Sequence, residues 1–281
     1  MPITRRRFVQ GLLPLLCGTS GAAESAVTPV RVLFIGNSYT YVNDLPKLFM
    51  ELMKSSKLYA PMVGQVVDGG VHLSHHADSD KTLAVLTHGA ADRKPWDVVV
   101  LQEQSAMAPA AVVIAEAKSE INDSAQRLAS LIWASSPRAL IVLYQTWARH
   151  PDLWKNGKAP VKELGKDAAE MQKRIHQSIA EVAKGVAERG KAYDGRVLVS
   201  PVGDFWQQSL QTTPALRLHA EDGSHPTPAG SMLAATVLMA TIGGRAAVEK
   251  AAWSGSLSKE DAAAIRKLVL DHPELFSRAV P

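Results

Sequence analysis

Residues 30–40 read Val-Arg-Val-Leu-Phe-Ile-Gly-Asn-Ser-Tyr-Thr, an apolar run that leads directly into a small polar turn. The run Val30–Ile35 predicts a buried β-strand because it is apolar at nearly every position rather than at alternate positions. Asn43–Lys57 follows with the spacing of an amphipathic helix. A buried strand followed at once by a helix is the unit from which parallel sheets are built, so this stretch indicates an α/β protein.

The same alternation of short apolar runs and helical patterns continues along the chain. Further strands are predicted at Pro61–Val67, Trp96–Leu101, Ala139–Tyr144 and Arg196–Ser200. Further helices are predicted around Asp80–Gly89, Ala117–Ala134, Ala168–Glu188, Thr227–Ile242 and Ser258–Pro273. We expect one domain over residues 28–281, a three-layer α/β/α sandwich with about five parallel strands. In such sheets, ligands bind beyond the carboxyl ends of the strands.

Residues 1–23 have the layout of an export signal that is removed from the mature protein. Thr4-Arg5-Arg6-Arg7-Phe8 is a positive start, Gly11–Leu16 is a short apolar run, and small residues continue to Ala23. The paired arginines resemble a twin-arginine signal, with a general secretory signal as the alternative. The apolar run is far shorter than the roughly 20 residues of a membrane span, so stable membrane insertion is not expected. We therefore predict a periplasmic or secreted protein.

Composition excludes several kinds of function. The formal net charge is +4, and Arg5, Arg6 and Arg7 of the predicted signal supply three of those charges. No basic stripe with interleaved aromatic residues is present, so nucleic-acid binding is not expected. The only cysteine, Cys17, also lies in the signal. A mature chain without cysteine has no disulfide, no zinc ribbon and no thiol nucleophile.

Residues suited to acyl transfer follow the first strand and precede the predicted helix at Thr227. Ser38 lies just beyond the strand, where its hydroxyl could act as a nucleophile, although serine is also common as a turn or helix cap. Asp222 and His225 are three residues apart, a spacing that favours Asp222 over Glu221 as the partner of the imidazole. An imidazole can accept the serine proton near neutral pH while a carboxylate holds its tautomer. The alternative for this segment is a surface loop with a helix cap.

Two more strand ends offer hydrogen-bond donors for an oxyanion, the negative charge that develops on a carbonyl oxygen under attack. Gly69-Gly70 follows the second strand, and the N–H of Gly70 could approach that oxygen, although paired glycines also form ordinary turns. Gln102 follows the third strand, and its side-chain NH₂ could reach the same atom.

Together these segments resemble, in the same order along the chain, the sequence blocks of the SGNH/GDSL hydrolase superfamily. Gly36-Asn37-Ser38-Tyr39-Thr40 is similar to block I, and Gly69-Gly70 to block II. Asp222-Gly223-Ser224-His225-Pro226 is similar to the Asp-x-x-His block V. The likeness extends from Val30 to about Ala240, which is most of the predicted mature chain.

The resemblance implies a flavodoxin-like fold and a hydrolase that uses neither a metal ion nor an organic cofactor. It implies a triad of Ser38, His225 and Asp222, and an oxyanion hole formed by Ser38, Gly70 and Gln102. The sequence departs from the family in two places. Block I has Gly-Asn-Ser-Tyr where the family has Gly-Asp-Ser-Leu, and Gln102 stands where block III normally supplies an asparagine.

Aromatic and histidine residues near the strand ends are the remaining candidates. Trp147, directly after the fourth strand, and Tyr39, beside the predicted nucleophile, are candidate substrate contacts, with packing inside the protein as the alternative. His72, His75 and His76 form a cluster, but without cysteine or a carboxylate motif they are better explained as loop histidines than as metal ligands.

The expected activity is hydrolysis of a carboxylic ester, on a small molecule or a glycan, through an acyl-enzyme intermediate. Deacetylation of a carbohydrate is one candidate reaction because the resemblance is to a superfamily rich in deacetylases, and lipid or aryl esters are others. Two alternatives remain from the sequence. One is a polysaccharide O-acyltransferase that uses the same triad, and the other is a ligand-binding module that keeps the fold without turnover.

Overall fold

The computed structural model describes residues 27–155 and 161–277, so the predicted export signal at residues 1–23 lies outside the described residues. The strands are β1 (Thr28–Gly36), β2 (Tyr59–Val67), β3 (Val98–Leu101), β4 (Leu140–Tyr144) and β5 (Arg196–Ser200). They form one parallel sheet in the order β2-β1-β3-β4-β5. The predicted α/β class with a five-stranded parallel sheet is confirmed.

Helices cover both faces of this sheet. In chain order they are α1 (Ser38–Tyr41), α2 (Leu45–Ser55), α3 (Leu73–Ala77), α4 (Asp80–His88), α5 (Met107–Ala110), α6 (Ala115–Ser135), α7 (Asp152–Lys155), α8 (Ala168–Gly190), α9 (Val202–Thr212), α10 (Pro228–Lys250), α11 (Lys259–Asp271) and α12 (Glu274–Ser277). Short 3-10 turns lie at Val42–Asp44 and Lys162–Leu164. Every predicted helix corresponds to one of these. The sequence did not predict α9 or the short helices α1, α3, α5, α7 and α12.

Each strand divides its apolar side chains between two cores, one on either face of the sheet. In β1, Leu33 and Ile35 belong to the core that α4, α6 and α8 cover. Val32 and Phe34 belong to the opposite core, which α2, α9, α10 and α11 cover. Burial on both faces explains why the strands are apolar without alternation, and it gives the three-layer sandwich expected from the sequence.

Helix α10 is the central helix of the second core. By length and composition it could cross a membrane, but 61% of its most apolar window is buried inside the protein. The helix is interrupted at Gly244, where φ is 75° and ψ is 176°. The sequence predicts a helix end at Ile242 because Gly243 and Gly244 follow it, and glycine adopts positive φ at little cost.

The carboxyl ends of three neighbouring strands meet at one edge of the sheet. Gly36 of β1 lies opposite Val67 of β2, and Ile35 lies opposite Leu101 of β3. The N–H of Gln102 donates to the carbonyl of Ile35 at 2.9 Å, which extends the pairing just beyond β3. The turns that follow β1, β2 and β3 therefore converge, and the predicted site residues on them become neighbours.

Candidate active site

The turn after β1 presents Ser38 as the first residue of helix α1. Asn37 caps this helix, since its side-chain oxygen accepts a hydrogen bond from the N–H of Tyr39 at 3.2 Å. The amide group of Asn37 donates to the carbonyl of Val71 at 2.9 Å and so ties the turn to the segment after β2. The N–H groups of a first helical turn have no partner within the helix, so the Ser38 N–H is available to a ligand.

Ser38, His225 and Asp222 form a continuous hydrogen-bonded chain. The Nε2 atom of His225 lies 2.9 Å from the Oγ of Ser38, and its Nδ1 atom lies 2.5 Å from Oδ2 of Asp222. The side chains of His225 and Asp222 are 38% and 49% exposed, so solvent and a bulky substrate can reach them. In this geometry an imidazole can take a proton from the hydroxyl while the carboxylate holds its tautomer.

The loop before α10 holds Asp222 in position. Its Oδ1 atom accepts the backbone N–H groups of Ser224 and His225, each at 2.9 Å, and Gly223 provides the turn with φ of 66°. Burial acts to raise the pKa of Asp222, but the hydrogen bonds from the His225 side chain and from these two N–H groups outweigh it and lower the pKa. The carboxylate therefore stays ionised, and it is Asp222 rather than the exposed Glu221 that contacts the imidazole.

Gln102 supports the turn that carries the nucleophile. Its Oε1 accepts the N–H of Asn37 at 3.0 Å and the hydroxyl of Thr40 at 2.8 Å. Its NH₂ group donates to Oδ1 of Asn37 at 3.0 Å and to the carbonyl of Glu103 at 2.5 Å. Gly36 makes room for it, because a Cβ there would lie 2.7 Å from Oε1 of Gln102. The expected role of Gln102 as an oxyanion donor does not fit this geometry, since both amide hydrogens are used inside the protein.

Gln104, in the same turn, has the free amide group that Gln102 lacks. The residue is half-buried, and its Oε1 accepts the N–H of Ala106 at 2.6 Å, which fixes the plane of the amide. Within residues 27–155 and 161–277 its NH₂ group makes no hydrogen bond. Gln104 could not be identified from the sequence because the segment offers two glutamines, and only their contacts distinguish them.

Glu103 links the turn after β2 to the turn after β3. Its carboxylate accepts the N–H of Leu73 at 3.2 Å and the N–H of Gln104 at 2.5 Å. Burial raises the pKa of Glu103 to about 7, although the two N–H donors act to lower it. The turn after β2 also carries Gly70, which is exposed, has φ of 70° and has no atom within 4 Å of the position of a Cβ. Glu103 therefore connects the turn that carries Gly70 to the turn that carries Gln104.

Tyr39 and Trp147 pack behind the triad. Trp147 is 0% exposed, and its ring stacks on Tyr39 at 4.5 Å and on Trp206 at 3.8 Å between centroids. Its Nε1 donates to the carbonyl of Ser224 at 3.0 Å. Tyr39 is 3% exposed, and its hydroxyl lies 2.8 Å from the Oγ of Ser224. The expectation that these two residues contact substrate does not fit their burial, whereas the packing alternative does.

His219 joins the segment after β4 to the loop of the triad. Its Nε2 donates to the carbonyl of Ala148 at 2.9 Å, and its Nδ1 accepts from Nε1 of Trp206 at 3.3 Å. Burial lowers its pKa to about 4, so the ring is neutral in this tautomer near neutral pH. The residue also pairs with Pro226 in an isolated antiparallel bridge. The sequence carried no signal for this role, since His219 has no partner at a characteristic spacing.

The histidines after β2 have separate partners. The buried His76 bonds through Nε2 to a backbone carbonyl of β1 at 2.9 Å. His72 lies 3.3 Å from Glu120, and His75 lies 3.6 Å from Asp68. In the part of the chain that the structure describes, no group of three or more histidine, cysteine, aspartate or glutamate side chains could hold a metal ion.

Solved structures share this architecture. A protein from Slackia heliotrinireducens, assigned as an SGNH hydrolase, is 27% identical; the match covers 76% of this chain and 100% of that one, with a TM-score of 0.55. This chain has the fold of the SGNH/GDSL hydrolase superfamily. A DUF4886 family protein from Bacteroides uniformis is 16% identical over 90% of this chain and 97% of its own, with a TM-score of 0.61. A protein from Parabacteroides merdae, assigned as a GDSL-like lipase, is 14% identical over 78% and 98%, with a TM-score of 0.52.

The SGNH/GDSL relationship predicted from the sequence is therefore confirmed, and the Slackia heliotrinireducens protein supports a hydrolase as the class of protein. No family profile and no curated protein matches the sequence. The segments that carried the resemblance most specifically, residues 36–40 and 222–226, are the ones that meet through Ser38 and His225.

Proposed function

We propose that this SGNH/GDSL-fold protein is an exported serine esterase that hydrolyses carboxylic esters through an acyl-enzyme intermediate. The observation that carries the proposal is the chain of contacts from Ser38 to His225 at 2.9 Å and from His225 to Asp222 at 2.5 Å. A serine hydroxyl is a weak nucleophile by itself. A hydrogen-bonded imidazole backed by an ionised carboxylate is the arrangement that activates it.

The reaction then proceeds in two halves. The Oγ atom of Ser38 attacks the ester carbonyl while Nε2 of His225 takes its proton, and a tetrahedral oxyanion forms. The imidazolium gives this proton to the departing alcohol, which leaves an acyl group on Ser38. Water attacks the acyl carbonyl as His225 takes one of its protons. The second tetrahedral intermediate collapses to release the carboxylic acid, and His225 returns the proton to Ser38.

Three donors are proposed for the oxyanion: the N–H groups of Ser38 and Gly70 and the side-chain NH₂ of Gln104. Gln104 takes the role first expected of Gln102 because its amide hydrogens are free and its oxygen is fixed by Ala106. Such donors act by meeting charge as it develops, and the loss of one typically costs about 10²–10³ in rate.

The proposed substrate is a short acyl ester, such as an acetyl ester, of a bulky alcohol such as a carbohydrate. The exposure of His225 and Asp222 supports a large alcohol group, because the reacting atoms stand at the surface. The burial of Tyr39 and Trp147 leaves these rings unable to line a pocket for a long acyl chain. Open access of water to the triad favours hydrolysis over transfer to a second alcohol.

Ester hydrolysis by purified protein tests the function. We expect release of p-nitrophenol from the acetyl ester, a lower rate with the octanoyl ester, and loss of at least about 10³-fold in Ser38→Ala. Ser119→Ala is the matched control, because Ser119 is an exposed serine on α6. The proposal fails if Ser38→Ala retains the wild-type rate, or if the wild type hydrolyses neither p-nitrophenyl esters nor acetylated glycans.

Export is proposed from the sequence of residues 1–23 alone. A double substitution, Arg5→Lys with Arg6→Lys, tests the twin-arginine assignment in a bacterial host. We expect the doubly substituted precursor to accumulate in the cytoplasm, because the twin-arginine pathway reads that pair. Continued export would instead indicate the general secretory pathway.

A further inference from the structure

Arg149, in the segment after β4, places a positive charge beside the nucleophile turn. It is half-buried, and its Nη2 atom donates to Oγ of Ser105 at 2.9 Å. Its Nη1 atom donates to the hydroxyl of Tyr39, and its guanidinium carbon lies 5.6 Å from the centre of the Tyr39 ring. Tyr39 follows Ser38 directly in the chain, and Ser105 follows Gln104. The guanidinium therefore bridges the turn with the proposed nucleophile and the turn with the proposed oxyanion donor.

Within the described part of the chain, the guanidinium of Arg149 contacts neutral groups. Among residues 27–155 and 161–277 it forms no ion pair, and the hydrogen-bond acceptors of its guanidinium are two hydroxyl groups. Burial raises the pKa of Tyr39, although Arg149 acts to lower it, so the hydroxyl stays protonated and supplies no negative charge. Arginine does not release its proton in proteins, and a half-buried cation without a counter-ion is unfavourable.

Two other arginines, Arg31 and Arg174, show how acidic side chains of this protein neutralise a guanidinium. Arg31 is also largely buried, and it pairs with Asp92 at 2.6 Å and Asp97 at 3.1 Å. Arg174 pairs with Glu170 at 2.6 Å. Arg149 differs because its partners are neutral, and a guanidinium has five N–H donors, of which two are used by these hydroxyls. The remaining donors and the uncompensated charge match a carboxylate, which arginine binds through paired hydrogen bonds.

We propose that Arg149 binds a carboxylate that the substrate itself carries, so that the preferred substrate is an ester of an acidic molecule. The inference rests on the proposed esterase function and narrows its substrate class. Tyr39 and Ser105 hold the guanidinium in place, and the bound carboxylate aligns the scissile ester with Ser38. A neutral ester lacks this anchor and is held only by contacts around the carbonyl group.

Matched pairs of esters test this substrate preference. One pair is mono-p-nitrophenyl succinate, which carries a carboxylate on its acyl group, and the corresponding methyl ester, which is neutral. The other is 4-acetoxybenzoate and methyl 4-acetoxybenzoate, which vary the alcohol side. The measurement is kcat/KM for each ester with wild type, Arg149→Met and Arg149→Lys, and with Arg245→Met as a control. Arg245 is a surface arginine paired with Glu249.

We expect wild type to prefer the charged member of at least one pair by tenfold or more, mainly through a lower KM. Arg149→Met should reduce that preference at least tenfold, Arg149→Lys should keep part of it, and Arg245→Met should keep all of it. A wild type without preference in either pair would overturn the inference, as would an Arg149→Met protein with an unchanged preference. A different result would disprove the esterase proposal itself: none of the four esters would be hydrolysed in a Ser38-dependent reaction.

Discussion

The Oε1 atom of Gln102 accepts a hydrogen bond from the backbone N–H of Asn37, 3.0 Å away, at the point where β1 turns toward Ser38. The same oxygen also accepts the hydroxyl of Thr40 at 2.8 Å. The end of β3 therefore holds the shape of the nucleophile turn. Gln102 therefore supports the turn, whereas Gln104 is the proposed oxyanion donor. Substitutions of these two glutamines should have different effects.

Gln102→Ala should mainly reduce stability, whereas Gln104→Ala should mainly reduce the rate of turnover. Gln102→Ala leaves buried polar groups of Asn37 and Thr40 without partners, so we expect the free energy of unfolding to fall by about 2–4 kcal/mol. Gln104→Ala removes one half-buried hydrogen bond and should cost about 1 kcal/mol or less in unfolding free energy, while it lowers kcat about 10²–10³-fold. Urea denaturation and p-nitrophenyl acetate kinetics measure both effects. Full activity in Gln104→Ala would remove it from the oxyanion hole.

Asp222→Asn should inactivate the enzyme with little effect on the fold. The asparagine NH₂ would face Nδ1 of His225, so the imidazole would carry its proton on Nε2 and could not accept one from Ser38. We expect kcat to fall about 10²–10⁴-fold. Glu221→Gln is the matched control, since it removes a neighbouring exposed carboxylate. Equal losses in both variants would contradict the assignment of Asp222.

Trp147→Phe should destabilise the protein without changing its choice of ester. The substitution shortens the stack between Tyr39 and Trp206 and removes the hydrogen bond to the Ser224 carbonyl. We expect a loss of about 1–3 kcal/mol in unfolding free energy. The ratio of kcat/KM for acetyl and butyryl esters should stay constant. A changed ratio at unchanged stability would mean that Trp147 contacts the acyl group.

His219 should make the protein less stable as the pH falls. The folded state lowers the pKa of His219 from its ordinary value of 6.5 to about 4, so between these values the unfolded chain binds more protons. Its stabilisation is complete above pH 6.5 and is lost as the pH falls toward 4. We expect wild type to lose about 2 kcal/mol more than His219→Gln between pH 7 and pH 4.5. Parallel pH profiles for the two proteins would refute this assignment.

The sheet could be predicted because its strands are buried on both faces, which leaves uninterrupted apolar runs such as Val30–Ile35 in the sequence. Six of the seven described helices of nine residues or more showed apolar spacing or end signals in the sequence, such as Gly190 and Gly244. Helix α9 did not, because it follows Pro201 directly and contains Gly203, and both residues locally favour a turn. Tertiary packing stabilises this helix, since Phe205 and Trp206 are almost completely buried in the second core.

Within the site, the proximity of Ser38, His225 and Asp222 could be predicted because residues 36–40 and 222–226 resemble two blocks of the SGNH/GDSL superfamily. Gln102 and Gln104 could not be told apart, because they lie in the same turn and the choice depends on side-chain direction. The roles of Arg149 and His219 also left no pattern, since their partners are distant in sequence. The direction of each of these side chains is a property of the folded protein.

Labelling by a fluorophosphonate probe tests the central claim most directly, because such a probe reacts with a serine only when a neighbouring base activates it. Purified wild type should become labelled, with peptide mass spectrometry placing the adduct on Ser38. Ser38→Ala and His225→Ala should remain unlabelled while their unfolding transitions match that of the wild type. A folded wild-type protein that is not labelled, or an adduct on another serine, would contradict the account.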